Sequence, residues 1–195
     1  MPTRKEQKEK RRQQILIAAL DLFIKKGYGA TKITDIAEKA NMSNGLLFHY
    51  FPSKASLYHE LLSIGTEAMK QKIEFDYKNP LNSLEIFIGN LLDKLDENDF
   101  VAKIFVLVDQ AQYLEIIPDE IKKELEESQA FIERTTEIIK IGQVNHTIRD
   151  GDAEALSIVF WSAIQGYAQH KAQNPTCPKV EANWFIDILR YKDKE

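Results

Sequence analysis

One cysteine, Cys177, in 195 residues excludes any intrachain disulfide, and no histidine stands near it at metal-ligand spacing. Neither a disulfide framework nor a metal site is expected. No apolar run approaches the roughly 18 residues of a membrane-spanning helix, and the charged first residues lack the hydrophobic stretch of a secretory signal. These absences predict a cytoplasmic protein without membrane association or cofactor. Catalytic groupings are missing too: His49, His59, His146 and His170 are scattered, and Asp and Glu fall mostly on polar helix faces. With no nucleophile beside a paired acid and base, the chain is not expected to be an enzyme.

What is present is a large apolar fraction, 44%, enough for a substantial core without staples. The net charge of −4 conceals a division. Residues 1–54 carry 11 Lys/Arg against 5 Asp/Glu, net +6, whereas residues 55–195 carry 15 against 25, net −10. A basic first quarter on an acidic body suits contact with a polyanion by one end only; a merely solvated charge run would give the same count.

The stretch Ser43–Lys54, SNGLLFHYFPSK, organises the reading. Ser43 stands where a helix N-cap belongs, and Pro52 disfavours helix at the residue before it, leaving about two turns over residues 44–51. At 100° per residue Leu47, Tyr50 and Phe51 share one arc. Gly45 and His49 point the other way, with Leu46 and Phe48 on the flanks. Ahead of it, Ile33, Ile36, Ala37 and Ala40 repeat at helical spacing over about residues 33–40, joined through a tight Asn41-Met42 turn, which is helix-turn-helix spacing. A first helix over about residues 8–26 presents Ile15, Ala18, Ala19, Leu22 and Phe23 on one face and ends at Gly27.

Thr31 through Leu57, TKITDIAEKANMSNGLLFHYFPSKASL, resembles the N-terminal DNA-binding region of the tetracycline-repressor-like (TetR/AcrR) family. The shared pattern is a Thr-rich turn, Ile-Ala, a short turn, Ser-x-Gly-x-Leu-aromatic-x-aromatic-Phe, then Lys and Leu. Phe48 stands where the family more often has Tyr, which removes a phosphate hydrogen bond. Leu46 replaces a frequent small polar residue and favours apolar contact with a base methyl.

Each residue of the candidate DNA-binding set has a chemical reason. Gly45 permits close approach to the groove, or is simply a helix-start glycine; His49 is an outward ring able to donate to or accept from a base edge, or an ordinary surface histidine. Asn44 carries the amide that pairs with adenine, or reinforces the cap at Ser43. Tyr50 leans inward with its hydroxyl free to reach a phosphate, as its counterpart in the family often does. Lys54, in the first turn of the next helix, can hold a phosphate together with backbone N–H groups, and Thr34 can do so on the other strand.

Beyond Lys54 the periodicity predicts an all-α chain, and the resemblance implies a DNA-binding domain over residues 1–53 and a helical effector-binding and dimerisation domain over 54–195. A fourth helix over about residues 54–77, with Leu57, Leu61, Ile64, Ala68 and Ile73 on its buried side, links the two as a lever. Further helices are expected over about 80–96, 99–115, 118–142, 152–173 and 179–193. In the last two, apolar residues occupy two sides. The resemblance implies that they pair with their copies as a homodimer, for which Phe160, Tyr167, Trp184, Ile188 and Tyr191 are the candidates. It also implies a small-molecule effector, unchanged by any catalysis, in a pocket among helices four to eight; Phe105, Phe131 and Trp161 are the candidate wall, and an uncharged or amphipathic organic molecule is expected.

The function expected is a transcriptional regulator of double-stranded, palindromic operator DNA, a repressor released by its effector. A helical interaction module without DNA binding would explain the two-sided terminal helices but not the basic first quarter. A same-fold activator with no ligand response is not separated by sequence.

Overall fold

In the computed structural model, which describes residues 3–69, 75–112 and 119–191, every regular element among the described residues is a helix. In order they are α1 Arg4–Lys26, α2 Ile33–Lys39, α3 Asn44–Tyr50, α4 Lys54–Met69, α5 Pro80–Glu97, α6 Asp99–Ala111, α7 Asp119–Val144, α8 Ala153–Gln173 and α9 Ala182–Ile186. None of the described helices is long and apolar enough to cross a membrane. α1 starts four residues earlier than its apolar pattern suggests. Thr3 and Glu6 form a capping box, Glu6 N–H donating to the Thr3 hydroxyl at 3.2 Å and Thr3 N–H to the Glu6 carboxylate at 2.7 Å. At its other end Gly27 adopts φ 79°, a left-handed position that stops the helix.

Two apolar cores hold the molecule. The first joins α1–α4, through Ile15, Phe23, Ile36, Leu47, Leu57 and Leu61, to Ile104, Leu107 and Val108 of α6 and Leu125 of α7. The second lies among α5–α9 around Ile88, Val106, Ile139, Phe160 and Ile186. The basic bundle therefore shares its core with the acidic body, and α6 belongs to both. A polar tie runs the same way: Lys103 of α6 and Lys39 of α2 meet Asp21 of α1 at 2.7 and 3.2 Å. Burial works against the charge on Asp21, but these two lysines outweigh it and hold the carboxyl below its ordinary value.

Three expectations are corrected. The expected fourth helix does not reach residue 77: residues 75–79 are outside any helix, where the Asp76 carboxylate accepts from Lys78 N–H at 2.9 Å and Asn79 Nδ2 at 3.0 Å in an Asx-type turn. Ile73 lies outside the described residues, as do the side chains of Ala68 and Met69, and Ile64 is exposed rather than buried. The sixth helix stops at Ala111 rather than 115, with 113–118 outside the description.

The largest difference is the expected long last helix over 179–193. Among its described residues, which end at 191, only Ala182–Ile186 is helical. The chain then turns and pairs with the loop after α7, Arg149 N–H donating to Leu189 C=O at 2.8 Å and Tyr191 N–H to Thr147 C=O at 3.3 Å. Phe185, Ile186 and Leu189 fill the second core and Ile188 packs on it, so most of the apolar positions on the two sides are taken up by a bent segment inside one subunit, with Trp184 left exposed.

Candidate nucleic-acid interface

α2 and α3 are joined by a turn built on two backbone features. Asn41 takes φ 52°, a left-handed position that a small polar side chain tolerates. Met42 N–H then reaches back to Ala37 C=O at 2.9 Å. Ser43 caps α3 by accepting from Leu46 N–H at 3.2 Å. Leu47 and Phe51 are buried beneath the helix, whereas Ser43, Asn44, Gly45, Phe48 and His49 are exposed and Leu46 and Tyr50 half-buried. The inward arc is the one the 100° spacing gives. Nothing lies within 4 Å of a Cβ built on Gly45, and Phe48, a large aromatic, remains 47% exposed. Thr34, exposed in the first turn of α2, completes this surface.

Beneath the recognition surface, Lys54 has a different place from the one expected. Its ammonium donates to Tyr28 C=O at 2.7 Å and Thr31 C=O at 2.8 Å and sits 4.3 Å from the centroid of the Tyr28 ring. Two of its three donors are thus committed to the α1–α2 loop, which leaves one for another partner. Thr31, fully buried, locks the same loop by donating to Gly27 C=O at 2.8 Å and Leu22 C=O at 3.3 Å. The Tyr28, Tyr58 and Phe23 rings meet one another tilted or edge to face, and burial raises the pKa of the Tyr58 hydroxyl. Arg12 pairs with Glu60 and lies over the Phe51 ring, binding α1 to the start of α4 and the end of α3. α4 opens on a reciprocal serine cap, Ser56 N–H to Ser53 Oγ at 3.0 Å and Ser53 N–H to Ser56 Oγ at 3.1 Å. The Thr31 lock and the Lys54 clamp were missed in the sequence because neither a Thr in a loop nor a Lys in a helix's first turn tells which carbonyls it will meet.

The family described as bacterial regulatory proteins, tetR family, matches residues 15–61, which span this bundle. Over most of the chain, the uncharacterized HTH-type transcriptional regulator YvkB of Bacillus subtilis (strain 168) is 31% identical across 164 residues, 82% of this chain and 82% of that one. The chain belongs to the tetR family. The HTH-type transcriptional regulator RutR of Escherichia coli (strain K12) is 27% identical over 179 residues, 88% of this chain and 77% of that protein. Two solved structures share the fold of this TetR-family chain. The MbdR regulator from Azoarcus sp. CIB has a TM-score of 0.67 at 23% identity, covering 91% of this chain and 93% of that one. AibR in complex with isovaleryl coenzyme A and operator DNA has a TM-score of 0.64 at 15% identity, covering 91% and 94%. The protein is a TetR-family transcriptional regulator with a DNA-binding helix-turn-helix domain.

In the body of this TetR-family regulator, the expected aromatic wall is partly brought together. Phe131 of α7 and Trp161 of α8 have ring centroids 5.5 Å apart, and both meet Phe87 of α5, at 6.1 and 6.0 Å; Phe75 joins Phe87 at 5.8 Å. Trp161 donates its indole N–H to the buried Thr135 hydroxyl at 3.0 Å. Phe105 packs on the same core from α6 without a ring contact to the other two.

The expected dimer residues divide. Phe160 is wholly buried in its own subunit and offers no surface to a partner, because it lies on the inward side of α8. Tyr167 turns its hydroxyl to Asp96 at 3.3 Å and its ring to Phe185. Ile188 packs on the second core and Tyr191 against His146, both consequences of the bent tail. Trp184 stays 56% exposed. The sequence reading passed over Ile158 and Val159, which face outward on α8 at 47% and 54% exposure, together with Ser162 and Gly166.

Proposed function

We propose that this regulator is a repressor that binds a palindromic operator as a homodimer and is released by a small-molecule effector held in its acidic body. The observation that carries the reading is the exposed face of α3, with Asn44, Gly45, Phe48 and His49 raised above the buried Leu47 and Phe51 in the basic quarter of the chain. A dimer of such modules reads half-sites about 34–36 Å apart in the major groove. Asn44, Leu46, Phe48 and His49 read base edges and methyl groups there, while Thr34, Ser43 and Tyr50 supply phosphate contacts.

Dimerisation is assigned to the outward face of α8, where Ile158, Val159, Ser162 and Gly166 lie side by side, with Trp184 as a further exposed apolar group. Small residues among branched ones allow two helices to approach closely. The domain division at about residues 53–54 follows, with α4 as the lever and the cluster of Phe87, Phe131 and Trp161 as the effector site. AibR, alike in fold, is known with both a small molecule and operator DNA, which supports a two-ligand reading.

The experiment is fluorescence anisotropy of full-length protein with DNA from upstream of its own gene. Affinity should fall roughly 10³-fold between 50 and 200 mM salt if about six or more phosphates are met. His49→Ala should change which base pairs are preferred. An affinity flat in salt, or no preference over random duplex, overturns the DNA reading; activation of transcription by the bound protein overturns the repressor.

A further inference from the structure

Among the described residues, carboxylates tucked between helices face a cation: Asp21 meets Lys103 and Lys39, Asp35 meets Lys26, Glu60 meets Arg12, and Asp96 meets Lys171. Asp109 of α6 is the exception. Half-buried, it accepts from the neutral Gln165 Nε2 of α8 at 2.6 Å, and among the described residues no cation is paired with it. Burial raises its carboxyl above the ordinary value. A carboxylate drawn out of water without a counter-charge is costly, and the cost is usually avoided by pairing.

Its position relates it to the aromatic cluster. Asp109 is one helical turn beyond Phe105 on the same side of α6, and Gln165 is one turn beyond Trp161 on the same side of α8. Asp109 and Gln165, joined by this hydrogen bond, thus lie one turn along from Phe105 and from Trp161 on two packed helices, and Trp161 in turn meets Phe87 and Phe131. Ring faces carry negative potential and attract a cation, most strongly where water is excluded. An aromatic surface closed by an unpaired carboxylate is complementary to an organic cation: an ammonium or another delocalised positive group bearing an apolar or aromatic body.

From this arrangement we infer that Asp109 is the charge-selecting residue of the effector site, and that the effector is an amphipathic organic cation. The inference rests on the reading of the body as an effector-binding domain, and it narrows the uncharged or amphipathic ligand that the sequence suggested to a cationic one. Gln165 acts as a positioning residue that orients the carboxylate from α8. Because α6 shares its core with the DNA-binding bundle, a ligand that draws on Asp109 acts on an element that also touches α4.

The test is calorimetry on the full-length protein without DNA, using two pairs of probes matched in shape and opposed in charge. The larger pair is tetraphenylphosphonium and tetraphenylborate; the smaller is phenyltrimethylammonium and benzenesulfonate. At least one cation should bind about 10-fold or more tightly than its anionic counterpart, the ratio a half-buried charge contact supplies. Asp109→Asn should erase that preference, the exposed-site control Asp93→Asn should leave it intact, and Phe131→Leu should weaken the cation; circular dichroism verifies that each variant is folded. Equal binding of cation and anion, or a preference that survives Asp109→Asn, overturns the cationic assignment and leaves the effector site standing. Binding of none of the four probes overturns the assignment. The effector reading itself falls separately, if no small molecule bound by the body changes DNA affinity in the anisotropy assay.

Discussion

Gly65 of α4 and Val108 of α6 are packed so closely that a Cβ on the glycine would lie 2.4 Å from the valine Cγ2 and 2.9 Å from Ile104 Cγ2. Only hydrogen fits there. The contact joins the helix that leaves the DNA-binding bundle to the helix that serves both cores, so movement of one must displace the other.

Gly65→Ala should therefore destabilise by about 1–3 kcal/mol through overpacking, against the gain an alanine normally brings to a helix interior. Gly45→Ala should do the reverse, because nothing lies within 4 Å of its added Cβ. Its helix should gain about 0.5–1 kcal/mol while DNA affinity falls, since the methyl faces the groove. Chemical denaturation and anisotropy on both variants give the check, and a stabilised Gly65→Ala would contradict the close packing.

Lys54→Met should cost about 2 kcal/mol, because the Tyr28 and Thr31 carbonyls lose a charged donor while the apolar stem is kept. DNA binding should weaken with the loosened loop, yet its salt slope should stay unchanged. A slope lower by about one, at unaltered stability, would instead make Lys54 a phosphate ligand.

Asp96 and Lys171 form a 2.6 Å ion pair at 7% and 6% exposure between α5 and α8. Burial opposes the charge on Asp96, but Lys171, Lys179 and the Tyr167 hydroxyl outweigh it and hold the carboxyl below its ordinary 3.8. The same hydrogen bond raises Lys171 above 10.5. A depressed acid contributes stability above its unfolded value that is lost as pH falls through the folded one; a raised base contributes below its unfolded value and loses it as pH rises through the folded one. The contribution should thus be constant from about pH 5 to 9 and fade at both extremes. Lys171→Met, which leaves the buried carboxylate only the more distant Lys179 and the Tyr167 hydroxyl, should cost about 3 kcal/mol at pH 7 and less at pH 3. Thermal melts across pH decide it: a cost independent of pH would show that lost packing, not charge, is responsible.

Val159 and Phe160 are neighbours in sequence about 100° apart around α8, one exposed and one buried. Val159→Glu should yield a folded monomer in sedimentation at micromolar concentration, whereas Phe160→Glu should fail to fold by circular dichroism. A Val159→Glu protein that remains dimeric would move the interface off this face.

The helix-turn-helix was legible because its signals are local. Ser43 caps, Pro52 stops, and the 3.6-residue period fixes which side of α3 is buried before any tertiary contact forms. The body was less so. Aromatic residues could be counted, but the partnership of Phe131 and Trp161 with Phe87 depends on how α5, α7 and α8 cross. Gly65, a glycine inside an apolar helix, was a readable sign of close approach, though not of what approached.

The sequence by itself determined the helices of the basic quarter, the split of charge and the outward residues of α3, because capping, periodicity and charge are properties of neighbouring residues. Tertiary structure decided the rest. The doubled apolar stripe of residues 182–191 suits two helical surfaces as well as it suits a bent segment, and pairing with the loop at 147–149 selected the bend. Lys54 could have faced a phosphate or a carbonyl, and Asp109 could have met a cation as other tucked carboxylates do. Which partner a long-range polar group finds depends on the packing of elements far apart in the chain, and no local pattern encodes it.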